Sequence, residues 1–457
     1  MLSHFPASIR TNLRPIAFPL LILLLGTLRS TANELIIVSP HWEGIRHEFE
    51  KAFQDDYREK TGEEVQVRWR DLGGTSQIER ALNASFDANP ETAFIDILFG
   101  GGLDPYENQK ARGQLHPFRL PEEVLKEIPR ELHGLTIVDP DFMFYGAALS
   151  SFGFLENRKV IEWANLPEVR DWNDLTDPRL FGWVSSTDPR KSGSVHMIYE
   201  IILQAYGWEK GWKVIYQMSG NVRSFLQHSS SPTKEVAFGE VAYAVSIDIN
   251  GMTQQAFLGP ENVRFRVPAE VSIINPDGIA ILRGAPNLEI AQAFVTFVLS
   301  KKGQSLWMRP VGHPDGAEKF GITRMGILPE LYEDDLSDLL VPLNPFEQEN
   351  ALNYDQELGS RRWSVLNTLI GQSIIDVHSH LKRAWKAILS LPEEDRPPLL
   401  ELFSKPLISE EEALMATDFW QTDRVRSGRL ANNWMEQAVE RFDSIEKKAK
   451  ALRDANP

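Results

Sequence analysis

Not one cysteine occurs in the 457 residues, so disulfides and a lipid-carrying amino-terminal cysteine are both excluded. The fold must rest on its apolar core alone. Long hydrophobic runs are also wanting. The most apolar stretch covers residues 16–25 and is interrupted by Pro19, well short of the roughly 20 residues that cross a bilayer as a helix. Positive charge is scarce: 48 Lys and Arg stand against 64 Asp and Glu, a formal net charge of −16. Nucleic acid and anionic membranes need clustered cations, so neither is an expected partner. A small anion held by local donors is not excluded. The signatures HExxH, GxSxG, GxGxxG and the P-loop are missing as well, so the sequence predicts no enzyme and no cofactor. Asp376, His378 and His380 have metal-ligand chemistry, but residues two apart on a helix point away from each other, and chelation is not expected.

What is present begins with an export signal. Arg10 and Arg14 precede the apolar stretch, no acidic residue comes before Glu34, and Ser30-Thr31-Ala32 supplies small residues for cleavage. That order predicts a secretory signal over residues 1–32 and a periplasmic protein cut near Ala32. The remaining residues, 457 − 32 = 425, exceed one compact core and suffice for two or three domains.

Strand and helix patterns then alternate. Leu35-Ile36-Ile37-Val38 reads as a buried strand closed by Ser39-Pro40, and Ile45, Phe49 and Phe53 follow at helical spacing. Val65 to Trp69 alternates as a half-buried strand, Gly73-Gly74-Thr75-Ser76 opens a helix, and residues 95–99 form a strand ending in Gly100-Gly101-Gly102. Further on, Phe181-Gly182-Trp183-Val184 reads as a strand leading to Ser192-Gly193-Ser194 and a helix that Gly207 stops. Residues 241–245 form another strand, ending at Ser246-Ile247-Asp248. Such alternation predicts parallel sheets flanked by helices, with ligands beyond the carboxyl ends of the strands. Past about Pro345 the pattern turns wholly helical. Ile374, Val377, Leu381, Trp385 and Ile388 make one stripe; Leu430, Trp434, Ala438, Phe442 and Ile445 make another. Ser409 with Glu412 reads as a capping box.

The Gly-Gly-Thr-Ser helix start, Asp96-Ile97-Leu98-Phe99-Gly100-Gly101 and Tyr145-Gly146-Ala147-Ala148-Leu149 come in a telling order. Trp172-Asn173-Asp174-Leu175, Gly239-Glu240-Val241-Ala242 and Pro276-Asp277-Gly278-Ile279-Ala280 extend it. Over residues 34–345 this order resembles the extracellular solute-binding proteins of ABC importers, in the branch of ferric-iron, phosphonate, thiamine and polyamine binders. The resemblance implies an α/β, two-lobed, type II Venus-flytrap fold with a C-terminal helical extension. It implies a first lobe of residues 33–137 and 273–345, a second of 138–272, and an extension of 346–457. Crossovers near 139–145 and 267–274 would form the hinge. The implied partners are a small solute and the membrane permease of an importer, for a protein acting as a monomer.

Helix amino termini hold anions through free N–H groups and about half a unit of positive charge. Ser192, Gly193 and Ser194 offer such a terminus on one lobe; Gly74, Thr75 and Ser76 offer one on the other. All of these serve equally well as plain caps, and Ser76 with Glu79 reads as a capping box. Gly101, Ser39 and His41 follow strand ends that would face the cleft. Tyr145 suits hinge packing as well as ligand contact, and Asp248 suits a solute amine or a structural cap. Arg190 and Lys191 could add charge or simply be solvated. Ferric-iron members of the branch carry an adjacent tyrosine pair on the second lobe, where Ser246-Ile247-Asp248-Ile249-Asn250-Gly251 stands here. That departure favours an anionic, phosphonate- or phosphate-ester-like solute. Iron or polyamine binding, and a ligand-sensing role beside a membrane receptor, are the alternatives.

Overall fold

The computed structural model describes residues 33–268, 270–333, 335–347 and 352–455; the expected signal lies outside them. Ten strands carry the fold: β1 (Asn33–Val38), β2 (Val65–Arg70), β3 (Ile97–Phe99), β4 (Leu115–His116), β5 (Tyr145–Asn157), β6 (Val184–Thr187), β7 (Val222–Leu226), β8 (Tyr243–Ile247), β9 (Val263–Arg266) and β10 (Ile274–Leu282). They join in one hydrogen-bonded path, β2-β1-β3-β10-β5-β8-β6-β7, with β4 on β10 and β9 on β5. β1 pairs in parallel with β2 and β3, and β6 pairs in parallel with β7 and β8. These are the two parallel arrays that the alternating pattern predicts.

The long strand β5, buried throughout, ties the arrays together. Tyr145 to Ser151 pairs with β10, whereas Phe152 to Asn157 pairs with β8 and β9. The first crossover is therefore at Ser151 and Phe152, not at 139–145. Residues 139–145 are instead a tight turn of the first lobe. The Asp139 carboxylate accepts from Asp141 N (3.1 Å) and Met143 N (3.0 Å) and holds Lys110 at 2.5 Å. The return crossover lies between Arg266, opposite Phe154, and Ile274, opposite Ser151, where it was expected.

The helices that shape the cleft are α1 (Glu43–Thr61), α2 (Thr75–Ala88), α3 (Asp104–Ala111), α4 (Gly193–Tyr206), α5 (Trp208–Asn221) and α6 (Asp248–Leu258); α7 (Leu288–Leu299) and α8 (Lys301–Met308) back the first lobe. The extension supplies α9 (Gln356–Ile370), α10 (His378–Leu389), α11 (Pro397–Ser404), α12 (Glu410–Trp420) and α13 (Arg424–Ala455). α12 opens with the expected capping box, Ser409 Oγ accepting from Glu412 N and Glu412 Oε2 from Ser409 N. Trp434, Ala438, Phe442 and Ile445 line the buried face of α13. The stripe from Ile374 to Ile388 is not one helix, because a π-turn at Gly371–Ile375 separates α9 from α10. One core cluster runs from Ile37 and Phe53 through Ile202 and Tyr216 to Trp385 and Phe442, so the extension is continuous with the lobes.

Two local readings change. The strand expected at 181–184 starts only at Val184: a 3-10 turn at Pro178–Leu180 and a positive φ of 82° at Gly182 bend the chain first. The Ser76–Glu79 capping box does not form. α2 is capped from Gly74, whose N–H donates to Gln77 Oε1 (2.9 Å), while Glu79 is buried and accepts from Asn108 (3.1 Å).

Candidate functional site

Where the parallel strands end, their loops converge on a cavity of about 140 Å³ between the lobes, close to the roughly 150 Å³ that admits a benzene-sized guest. His41 and Trp42 reach it after β1, Gly74 and Thr75 after β2, and Gly101 and Gly102 after β3. The second lobe contributes Lys191 to Ser194 after β6, Ser229 and Ser230 after β7, and Ile247, Ile249 and Asn250 after β8; Ser150 and Phe152 come from the crossing strand. Gly100, Gly101 and Gly102 all have positive φ (94°, 103° and 83°), a turn that residues with a Cβ adopt only under strain. A Cβ at Gly100 would also fall 2.6 Å from the His41 ring.

The lobes touch at two further glycines. A Cβ on Gly74 would sit 2.0 Å from the Lys191 carbonyl oxygen, and one on Gly193 would sit 2.7 Å from Thr75 Oγ1. The amino ends of α2 and α4 thus meet across the cleft. By position, the N–H groups of Thr75, Ser76, Gly193 and Ser194 have no intrahelical acceptor. Ser192 Oγ takes the next donor, Val195 N (3.3 Å).

At the back of the cavity lies a cluster that sequence reasoning missed. Asp277 accepts from Gly102 N (2.7 Å) through one oxygen; the other lies 3.0 Å from His41 Nε2 and accepts from Arg324. Arg324 also donates to Ser150 Oγ (2.7 Å) and stands over the Trp307 ring at 5.5 Å. All three side chains are buried, with Arg324 at 4% exposure. Burial works against ionisation of Asp277, but Arg324 and the His41 and Gly102 hydrogen bonds outweigh it and hold the carboxyl far below the usual range. Burial pulls the His41 imidazole down, against the upward pull of Asp277. Arg324 Nε and His41 Nδ1 have no protein partner among the described residues. Asn250 and Asn275 add amides to the lining.

Seven of the expected residues therefore come together: His41, Gly74, Thr75, Gly101, Ser192, Gly193 and Ser194. Four do not line the cavity. Ser39 Oγ is turned inward and accepts from His41 N (3.1 Å). The Ser76 hydroxyl faces the extension, 3.3 Å from Trp363 Nε1. Tyr145 is buried in the first lobe, donating to the Phe118 carbonyl (2.6 Å), and burial pushes its hydroxyl up to about 12. Asp248 is consumed by structure: Ser151 N (2.7 Å), Ser151 Oγ (3.2 Å) and Ile249 N (2.7 Å) occupy both oxygens, tying α6 to the crossing strand. Arg190 is also turned away, bidentate to Asp376 (2.8 and 2.7 Å), while Lys191 reaches Gln227 at the cleft rim. His378 meets the Ser219 carbonyl (3.2 Å) and His380 meets Asp443 (2.6 Å), so these two and Asp376 serve separate contacts.

Residues 94–318 match the family described as bacterial extracellular solute-binding protein. Over those residues, just under half of its length, the chain resembles that family. Similar proteins include PgtC of Salmonella typhimurium, a phosphoglycerate transport regulatory protein, 27% identical over 181 residues, which are 40% of this chain and 43% of PgtC. The chain thus matches less than half of PgtC's length. Among solved structures, the periplasmic binding protein AfuA of Actinobacillus pleuropneumoniae, with exogenous fructose 6-phosphate bound, aligns at TM-score 0.58 and 20% identity. That alignment covers 78% of this chain and 98% of AfuA. Apo ferric ion-binding protein A of Pasteurella haemolytica aligns at TM-score 0.56 and 15% identity, over 74% and 97% of the two chains. The fold is that of the type II periplasmic binding proteins, with added C-terminal helices.

Proposed function

We propose that this protein captures a small organic anion bearing a phosphate or phosphonate ester and delivers it to the permease of an ABC importer. In this reading residues 1–32 are removed on export and the mature chain works in the periplasm as a monomer. The observation that carries the proposal is the meeting of two helix amino termini, α2 and α4, on one interlobe cavity. Their free N–H groups and the hydroxyls of Thr75, Ser192 and Ser194 suit the oxygens of such a group. Gly74, Gly101 and Gly193 let the backbone approach it. Arg324 would add charge from behind, and Asn250 and Asn275 would take the hydroxyls or carboxylate of the remainder. AfuA with its sugar phosphate and PgtC with its phosphoglycerate transport support the same chemistry. The stretch from Ser246 to Gly251 lacks a tyrosine pair, which weighs against tyrosinate iron binding, and among the described residues the cavity offers no ring of carboxylates for a polyamine.

Calorimetry of the mature protein against 3-phosphoglycerate, glycerol 3-phosphate, fructose 6-phosphate, a short alkylphosphonate, spermidine and ferric citrate tests this. Tight binding is expected for at least one phosphate or phosphonate. Tight binding of iron or spermidine, with none of the phosphorus compounds bound, would overturn it. The name of PgtC as a regulatory protein favours a second reading, in which the loaded protein signals to a membrane receptor. Deleting the gene separates the two, since uptake of the solute fails in the first case and only the transcriptional response in the second.

A further inference from the structure

Helix α9 of the extension touches both lobes directly behind the cleft. On the second lobe its hold is extensive. Arg362, 1% exposed, donates to Glu200 of α4 through Nε (2.9 Å) and a terminal nitrogen (2.7 Å), and to Glu410 of α12 at 2.5 Å. The Trp363 ring lies 3.6 Å from the His196 ring. Asn367, with its NH2 turned to the second lobe, donates to His196 Nδ1 (3.0 Å) and the Pro189 carbonyl (3.1 Å). Its neighbours in the extension are anchored to the same lobe: Trp385 donates to Asn221 (2.9 Å), Trp208 to the Ile408 carbonyl (2.9 Å) and Gln217 to Ser404 (2.9 Å).

On the first lobe α9 packs along α3, and the polar attachments there are few and single. With Asn367 in that orientation, Trp363 Nε1 donates to the Asn367 carbonyl oxygen (3.1 Å) and lies 3.3 Å from Ser76 Oγ, and the Asn367 amide lies 3.3 Å from the same hydroxyl. Ser360 Oγ donates to Asp104 Oδ1 (2.9 Å) and Gln356 reaches Glu107 (3.4 Å). Ser76 follows Thr75 and His196 comes three residues after Gly193, so α9 grips the two helix starts that meet in the cleft. Hinge opening, the usual motion of two lobes around a ligand, would have to part α9 from one of them. The lobe it leaves is the first, where packing along α3 and single hydrogen bonds, each worth about 0.5–1.5 kcal/mol, compete with a buried ion pair to α4 and with the packing of α10 and α11 on α5 of the second.

We propose that α9 is an interlobe latch: it rides with the second lobe, and its contacts to Ser76, Asp104 and Glu107 hold the ligand-free cleft closed. Trp363, Asn367 and Ser360 are positioning residues that act through α2 and α3 and touch no solute. Latch strength sets how much of the population is open to receive solute. The proposal rests on the two-lobed fold and not on the identity of the solute.

Cysteines introduced at Arg80 of α2 and Lys234 on the opposite lobe, both exposed, can be spin-labelled without competition because the chain has no cysteine of its own. Distances are then read by double electron–electron resonance in the absence of any ligand. The parent should give one short distance. Ser360→Ala and Asn367→Ala should each add a longer-distance population, and the double variant should enlarge it, with melting still cooperative. Unchanged distances in both variants would overturn the latch, as would a fall in melting temperature with no change in distance. So would a parent that is already fully open. Should Asn367→Ala fail to fold, Ser360→Ala decides alone.

Discussion

Arg324 sits in the cleft with its charge divided between Asp277, Ser150 and the Trp307 face, so its value to a ligand depends on what Asp277 leaves unused. Removing one partner of a buried ion pair costs about 3–5 kcal/mol, mostly from the charge left behind. Arg324→Met should therefore lower the melting temperature and abolish binding of a phosphate ester, because Asp277 then faces the cavity uncompensated. Asp277→Asn should act oppositely on binding. It also lowers the melting temperature, yet it releases Arg324 to the anion and tightens binding in calorimetry. Weaker anion binding in Asp277→Asn would show that Arg324 does not face the solute. Of this cluster only His41 was legible in the sequence. Asp277 lies 236 positions from His41 and 47 from Arg324, and only the sheet crossing brings them together. A second buried acid gives a pH signature. Burial raises the Asp104 carboxyl to about 7 from 3.8, so the proton is held more tightly folded than unfolded. The stability it contributes is complete below the unfolded value and is lost as pH rises through about 7. Glu79, held up to about 7 by burial, and Asp248, held up to about 6, act in the same direction. Asp104→Asn should accordingly lose less melting temperature than the parent between about pH 5 and about pH 8. Parallel curves would remove Asp104 from the account.

At the scale of elements, the two glycine contacts decide whether the helix starts can meet. An added methyl at Gly74 would run into the Lys191 backbone, which cannot rotate away, whereas one at Gly193 meets the Thr75 side chain. Overpacking of this kind typically costs about 1–3 kcal/mol. Gly74→Ala should thus weaken ligand binding by roughly 5- to 150-fold while leaving each lobe intact, and Gly193→Ala should weaken it less. Equal affinity in Gly74→Ala would mean that the lobes do not close to the separation seen here. These helix starts were readable because the signals are local: a glycine beside hydroxyl residues, followed by a helical stripe. Local signals also gave the Ser409 and Glu412 box and the stripe of α13. They misled wherever a neighbour in space won. Ser76 turned to Trp363 of the extension instead of capping its own helix, and Glu79 went to Asn108. The strand at 181–184 slipped because the turn before it used up Gly182.

The whole molecule treats its extension as core. Trp363, Trp385, Trp434, Phe403 and Phe442 are at most 1% exposed, and the Tyr216 ring of α5 packs on Phe403 and Phe442 at centroid distances of 6.3 and 6.2 Å. Each such side chain contributes about 1.5–3 kcal/mol by burial, against a net stability of about 5–15 kcal/mol for a typical native protein. Uncovering α5 and leaving Glu200 without Arg362 would then exceed what the second lobe can spare. A chain ending at residue 345 should consequently be aggregated, or should bind a hydrophobic dye and melt without cooperativity, even though the cleft residues all remain. Recovery of a soluble, cooperatively melting protein from that truncation would show that the extension is an accessory to a self-sufficient fold. The sequence marks the change of character near Pro345 but not this dependence, because the partners of the helical stripes lie on α5, more than a hundred residues earlier in the chain. The same dependence explains why opening is governed at α9 through single polar contacts: an extension that must stay on one lobe can release only the other.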